Sequence, residues 1–260
     1  MTIELIDTHA HLNFPQFEGY PIPAIIKNAK ENGIMKMINV GSDLEGSRFS
    51  AEVSAKYEEV YGTVGIHPHD AEKALKEEHL KDIIPLLNKE KIVGIGEIGL
   101  DYFKNYSPKA SQMLLLQKFM ELAAEHKKPV IIHNRDADND IYEMLNAFKD
   151  EVFGVVHCFS SDTAFAKKIL DLGYYLSFTG NITYPKTEQI QEVVKYVPED
   201  RFMVETDCPF LAPQAYRGKR NEPAYVKYVA EKISEIKNMT LEKVAEITTR
   251  TAKSFFSLTS

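Results

Sequence analysis

The run IVGIGEI, residues 92–98, holds one charged residue, Glu97, among six apolar ones. A nearly apolar stretch of this length reads as a strand buried on both faces, the mark of a parallel sheet. Seven runs of the same kind lie around it: Ile3–Ile6, Met35–Val40, Tyr61–Ile66, Val130–Ile132, Val152–Val156, Tyr174–Phe178 and Arg201–Val204. Helix-like segments separate them, at 22–33, 45–57, 75–89, 110–127, 140–148, 162–172 and 187–197. Two more, at 223–237 and 241–256, follow the last run. Ser161-Asp162 and Thr240 offer side chains to cap the helices they precede. Eight repeats in 260 residues give about 32 residues per strand–helix unit, which suits a (β/α)8 TIM barrel. A doubly wound open sheet shares the alternation and is the rival. No Gly-, Ser- or Pro-rich linker breaks the beat, so one domain over 1–260 is expected.

Composition narrows the function. Hydrophobic residues make up 44% and charged residues 27%, an ordinary globular mix. Lys plus Arg number 31 against 38 Asp plus Glu, a net charge of −7. That excludes a broadly basic, sequence-blind nucleic-acid binder, which needs excess cations to displace phosphate counterions. It does not exclude a nucleic-acid enzyme whose positive charge is a bound metal. Two cysteines make no disulfide framework, and no apolar stretch approaches a bilayer span. The N-terminus lacks the pattern of a signal peptide. A cytoplasmic setting, with no membrane partner, is expected.

The polar residues fall in a pattern. His9 and His11 follow the first run, His67 and His69 the third. Glu97, His133 and His157 end the fourth, fifth and sixth, and Asp207 follows the eighth. Of eight histidines only His79 and His126 fall in helices. In a parallel barrel all strand C-termini open on one face, where active sites form. His, Glu and Asp converging there are metal ligands. In an extended strand residues i and i+2 point the same way, so His9 and His11 aim two imidazoles at one point. Gly94, Gly96 and Gly99 match GxGxxG, yet residues 100–108 read as a loop rather than a helix to hold a pyrophosphate, and Glu97 would repel one. The two oxygens of Glu97 suit it instead to bridging two cations. Asp207 has two candidate tasks, as ligand and as base toward a metal-activated water.

The segments HAH (9–11), GEIGLDY (96–102), IIHNRDA (131–137), HCFSS (157–161), SFTGN (177–181) and ETDCP (205–209) resemble, in order, those of the TatD family of metal-dependent deoxyribonucleases, within the amidohydrolase-like barrels. RGKRNEP (217–223) matches a further family loop, and Ser161 departs from the commoner HCFSG. The resemblance implies a metal-dependent hydrolase of DNA phosphodiesters, typically an exonuclease, with one or two divalent ions (Mg²⁺, Mn²⁺ or Zn²⁺) and no organic cofactor. By position it implies His9, His11, Glu97 and Asp207 as ligands of one ion, and Glu97, His133 and His157 as ligands of the other. Asp207, Glu97 and His67 then carry the catalysis, His67 lying near the scissile phosphate. Arg135 can bind that phosphate or form a surface salt bridge. The cluster Arg217, Lys219 and Arg220, and the aromatic trio Tyr102, Phe103 and Tyr106, have equal functional and structural readings. The competing activity is hydrolysis of a small ester, lactone or amide on the same metal centre. A non-enzymatic binding protein is the third reading.

Overall fold

A computed structural model describes residues 3–258. Its strands are β1 (Leu5–Ala10), β2 (Ile34–Val40), β3 (Val60–Val64), β4 (Ile92–Asp101), β5 (Val130–Arg135), β6 (Gly154–Val156), β7 (Tyr175–Phe178) and β8 (Phe202–Val204). They form one eight-stranded sheet in sequence order. Helices α1 (Ile22–Glu31) and α2 (Leu44–Lys56) follow β1 and β2. Next come α3 (Ala71–Lys76), α4 (Leu80–Ile83), α5 (Lys109–His126), α6 (Asp138–Ala147), α7 (Thr163–Asp171) and α8 (Glu188–Tyr196). Last are α9 (Val226–Lys237) and α10 (Leu241–Phe255). This is the expected (β/α)8 barrel.

The described chain forms two compact units, each assembled from separate stretches of sequence. One comprises the segment ending at Asn39, Cys158–Ala166 and the segment beginning at Leu176. Here β1 pairs in parallel with β2, and β7 with β8. A bridge between Ala10 and Cys208 ties β1 to the segment after β8. Helix α10 lies against β1 and β8. Thr240 caps it, its Oγ accepting the N–H of Lys243 at 3.2 Å. Val244, Ile247, Thr248, Thr251 and Phe255 recur at helical spacing and are buried. Each large apolar side chain so buried contributes about 1.5–3 kcal/mol.

The other unit comprises Val40–His157 and Lys167–Tyr175. Strands β3 to β6 run parallel within it, with α2 against β3 and α5 against β4. All residues of β1, β3, β6 and β8 are buried, as strands covered on both faces must be.

Several boundaries differ from expectation. Strands β4 and β5 outrun their apolar cores, because Leu100 still pairs with Asn134 and Asp101 with Arg135. The backbone ladder, not side-chain polarity, sets where they stop. Glu97 therefore sits inside β4 rather than at its end, and His133 inside β5. GxGxxG lies wholly within strand, which removes the dinucleotide reading. The expected helix at 75–89 is instead α3, α4 and a 3-10 turn at Ile84–Asn88. Glu78 breaks it with a φ of 55°, and Pro85 offers no N–H to continue it.

Candidate metal centre

In the first unit β1 carries Asp7 and His9 at alternate positions, and His11 follows at the same spacing, so one face presents all three. His9 Nε2 and His11 Nε2 lie 3.0 Å apart. Asp207 Oδ1 stands 3.7 Å from the first and 3.5 Å from the second. Both imidazoles are buried. Two ring nitrogens facing each other at this distance have room for one proton between them. Together with the carboxylate they form a donor set suited to one divalent cation.

Asp7 holds this arrangement in place. Its Oδ1 accepts the Thr206 N–H at 2.9 Å, and its Oδ2 accepts the Thr206 hydroxyl at 2.6 Å. Burial pushes its carboxyl up to about 8, against the lowering effect of these hydrogen bonds. Beyond Thr206 the chain pairs with β1. Asp207 N–H donates to His9 O at 2.9 Å, and His11 N–H to Cys208 O at 2.8 Å. Asp207 itself adopts a φ of 54°, a left-handed conformation that Asp tolerates better than most residues.

In the second unit three imidazoles gather on one oxygen. Glu97 Oε1 lies 2.8 Å from His133 Nδ1 and 2.8 Å from His157 Nε2. His67 Nε2 is 3.6 Å away. Glu97 is anchored by its own N–H, which donates to Gly41 O at 2.7 Å, and His157 by an N–H bond to Ile132 O at 3.0 Å. His67, Glu97 and His133 also group closely enough to hold an ion. The Nδ1 of His67, however, accepts the His69 N–H at 3.2 Å. That leaves its proton on Nε2, facing Glu97, where a ligand would need a lone pair. Burial, ahead of the neighbouring charges, holds His67 well below the usual histidine range, so it is a neutral hydrogen-bond donor. His133 is different. Burial lowers it, but the Asp101 and Glu97 carboxylates outweigh burial and raise it.

Sequence reasoning misses two of these partners. The apolar pattern leaves Asp101 in a loop, yet it ends β4, four residues after Glu97 and on the same face. Its Oδ2 lies 2.8 Å from His69 Nε2 and 3.4 Å from His133 Nε2. Burial alone would raise the Asp101 carboxyl; the His133, Lys104 N–H and His69 donors hold it well below the usual carboxylate range. Asp7 escapes notice although its position two residues before His9 signals the shared face.

The secondary candidates separate. Arg135 is exposed, and its interaction among the described residues is a cation–π contact rather than a salt bridge. Its guanidinium lies 4.0 Å from the Phe103 ring centre. Arg220 stacks on Tyr20 at 3.6 Å and bonds Glu222 at 2.8 Å, a structural role, whereas Arg217 and Lys219 are exposed. Tyr102 is tied to Asp140 by its hydroxyl at 2.6 Å, while Phe103 and Tyr106 stand exposed. Cys158 Sγ lies 3.5 Å from Thr179 Oγ1, Cys208 is buried, and neither belongs to a ligand cluster among the described residues.

Imidazoles and carboxylates gathered at strand C-terminal ends of a parallel barrel are the make-up of a metal-dependent hydrolase. More narrowly, the chain belongs to the TatD family: residues 6–257 match the family described as TatD related DNase. The metal-dependent hydrolase YabD of Bacillus subtilis is 44% identical over 253 residues, covering 97% of this chain and 98% of the relative. YcfH of Escherichia coli K12, also described as a metal-dependent hydrolase, is 34% identical over 248 residues, covering 94% and 92%. The crystal structure of YjjV, a TatD homolog from Escherichia coli K12, superposes with a TM-score of 0.92 at 27% identity and covers 100% of both chains. No helix among the described residues is long and apolar enough to cross a membrane.

Proposed function

We propose that this chain hydrolyses phosphodiester bonds of DNA, as an exonuclease working from strand ends in the cytoplasm. His9, His11 and Asp207 would hold one divalent ion; Glu97, His133 and His157 would hold another. The observation that carries the reading is the make-up of the two donor sets: each has two imidazoles and only one carboxylate. Histidine ligates as the neutral ring, so two ions would bring four positive charges against two negative ones. The surplus favours an anionic guest, and the family's description as DNases points to DNA.

When bound there, divalent ions supply Lewis acidity toward the phosphate and acidify water near neutral pH. The chain's own residues do the rest. Asp207 takes a proton from the attacking water. His67, neutral with its proton on Nε2, donates a hydrogen bond to the phosphate or the departing oxygen. Arg135, held over Phe103, reaches toward the DNA backbone.

Asp207→Asn keeps a ligating oxygen but loses the base. Turnover is expected to fall by about 10²–10⁴-fold with little change in melting temperature. A rate near wild type in an oligonucleotide assay counts against the base. His67→Ala is expected to retain bound metal and lose about 10- to 100-fold in kcat/KM, the worth of one hydrogen bond to a charged group. Metal loss, read by elemental analysis, would make His67 a ligand instead.

The whole reading is tested by chelating the protein, re-adding Mg²⁺, Mn²⁺ or Zn²⁺ singly, and following single-stranded DNA labelled at either end. Metal-dependent shortening from one end supports it. Turnover of small esters, lactones or amides with DNA left intact overturns it.

A further inference from the structure

We propose that Asp101 is a positioning residue that fixes the tautomer of His133, leaving Nδ1 of that ring available to a metal ion. The inference rests on the reading of His133 as a ligand. His133 Nδ1 faces Glu97 Oε1 at 2.8 Å, and Nε2 faces Asp101 Oδ2 at 3.4 Å. A neutral imidazole carries one proton and one lone pair. A carboxylate oxygen repels a lone pair and attracts a proton, and both nitrogens face one; a cation at Nδ1 would displace the proton on the Glu97 side, and Asp101 keeps the remaining proton on Nε2. Nδ1 is then the nitrogen that ligates. Metal-bound histidines ordinarily donate their other N–H to a partner of this kind.

Asp101 is held so that it cannot turn away. Its Oδ1 accepts the Lys104 N–H at 2.8 Å, which aims Oδ2 at the histidines. His69 Nε2 shares that oxygen at 2.8 Å. The backbone is clamped by buried Gln112, whose Oε1 accepts the Asp101 N–H at 2.8 Å and whose Nε2 donates to Asp101 O at 3.2 Å and Ser107 O at 2.8 Å. The Asp101 side chain is 1% exposed, so water does not take over its role.

This geometry gives Asp101→Asn an unusual consequence. The Lys104 N–H can only donate, so the new amide has to keep its oxygen there, and its NH2 then points at His69 and His133. Facing a donor, His133 must accept through Nε2, which moves its proton to Nδ1 and blocks the ligating lone pair. Asp101→Ala imposes no tautomer. Asp101→Asn is therefore expected to lose about 10- to 100-fold in divalent-metal affinity, and Asp101→Ala less. A purely structural role predicts the opposite order, because Asn fills the space and Ala does not.

The experiment measures Mn²⁺ and Zn²⁺ binding to the chelated full-length wild type, Asp101→Asn and Asp101→Ala, with melting temperatures alongside. The ¹⁵N signal of His133 Nε2 is recorded in the metal-free wild type and in Asp101→Asn. A protonated Nε2 in the wild type, an unprotonated one in Asp101→Asn, and the larger affinity loss in Asp101→Asn support the proposal. Wild-type affinity in Asp101→Asn, a greater loss in Asp101→Ala, or an Nε2 that stays protonated in Asp101→Asn overturns it. If Asp101→Ala fails to fold, the comparison of wild type with Asp101→Asn decides. A wild type that binds neither ion sinks the metal reading itself, while the ¹⁵N comparison still judges Asp101.

Discussion

Glu97→Ala is expected to take DNA turnover to background, a loss of at least about 10³-fold, and to strip divalent metal from the protein. The reason lies in how much converges on one side chain. Two ring nitrogens sit 2.8 Å from its Oε1, and a third lies 3.6 Å away. Glu97 is buried, so no water replaces its charge at full strength. Without it, His133, His157 and His67 face one another with no anion between them. A cation entering there would lose its negative ligand, and three neutral rings would leave its charge uncompensated in a buried place. Glu97→Gln separates charge from shape. It fills the same volume and keeps one oxygen, but presents an NH2 where the other oxygen stood, and it too is expected to lose metal. Elemental analysis and circular dichroism, with the oligonucleotide assay, check both variants. Full turnover with intact metal in either variant would remove Glu97 from the centre of the mechanism.

The two clusters are legible in the sequence because their chemistry is tied to strand periodicity. A spacing of two puts His9 and His11 on one face, and their Nε2 atoms do meet at 3.0 Å. Eight apolar runs suffice for the barrel, since strands buried on both faces carry few polar residues. What stays hidden depends on where strands end. Stopping β4 at Ile98 turns Asp101 into a loop residue and hides its place beside His133. The backbone ladder that carries β4 onward runs between Leu100 and Asn134 and between Asp101 and Arg135, whose side chains are mostly polar. Hydrophobic patterning does not report such pairing. The fate of Arg135 is equally out of reach, because its partner is the ring of Phe103, 32 residues earlier in the chain and on a different element. The break in the third helical segment is readable in part from Pro85, but the left-handed Glu78 carries no such sequence mark.

Gly99→Ala is expected to be the most damaging small substitution in the fold. Gly99 pairs with His133 across β4 and β5. A Cβ built on it would stand 2.0 Å from the His133 carbonyl oxygen and 2.8 Å from that residue's carbonyl carbon and nitrogen. All three are backbone atoms, so no rotamer change relieves the overlap. The φ of 147° is also one that L side chains rarely adopt. Either the two strands separate or Gly99 changes conformation, and both pull His133 away from Glu97. The expected cost is about 3 kcal/mol or more, a fall of about 6–12 °C in melting temperature for a chain of this size, with metal affinity lost in the fraction that folds. Gly19→Ala controls for backbone conformation alone: its φ is 79° and nothing lies within 4 Å of a new Cβ. It should cost about 1–2 kcal/mol and leave metal binding unchanged. Thermal melts and metal titrations of both variants decide the matter. Equal effects in the two would mean that positive φ, and not the approach of β5, is what Gly99 serves; a larger effect confined to Gly99 ties the missing side chain to the placement of His133.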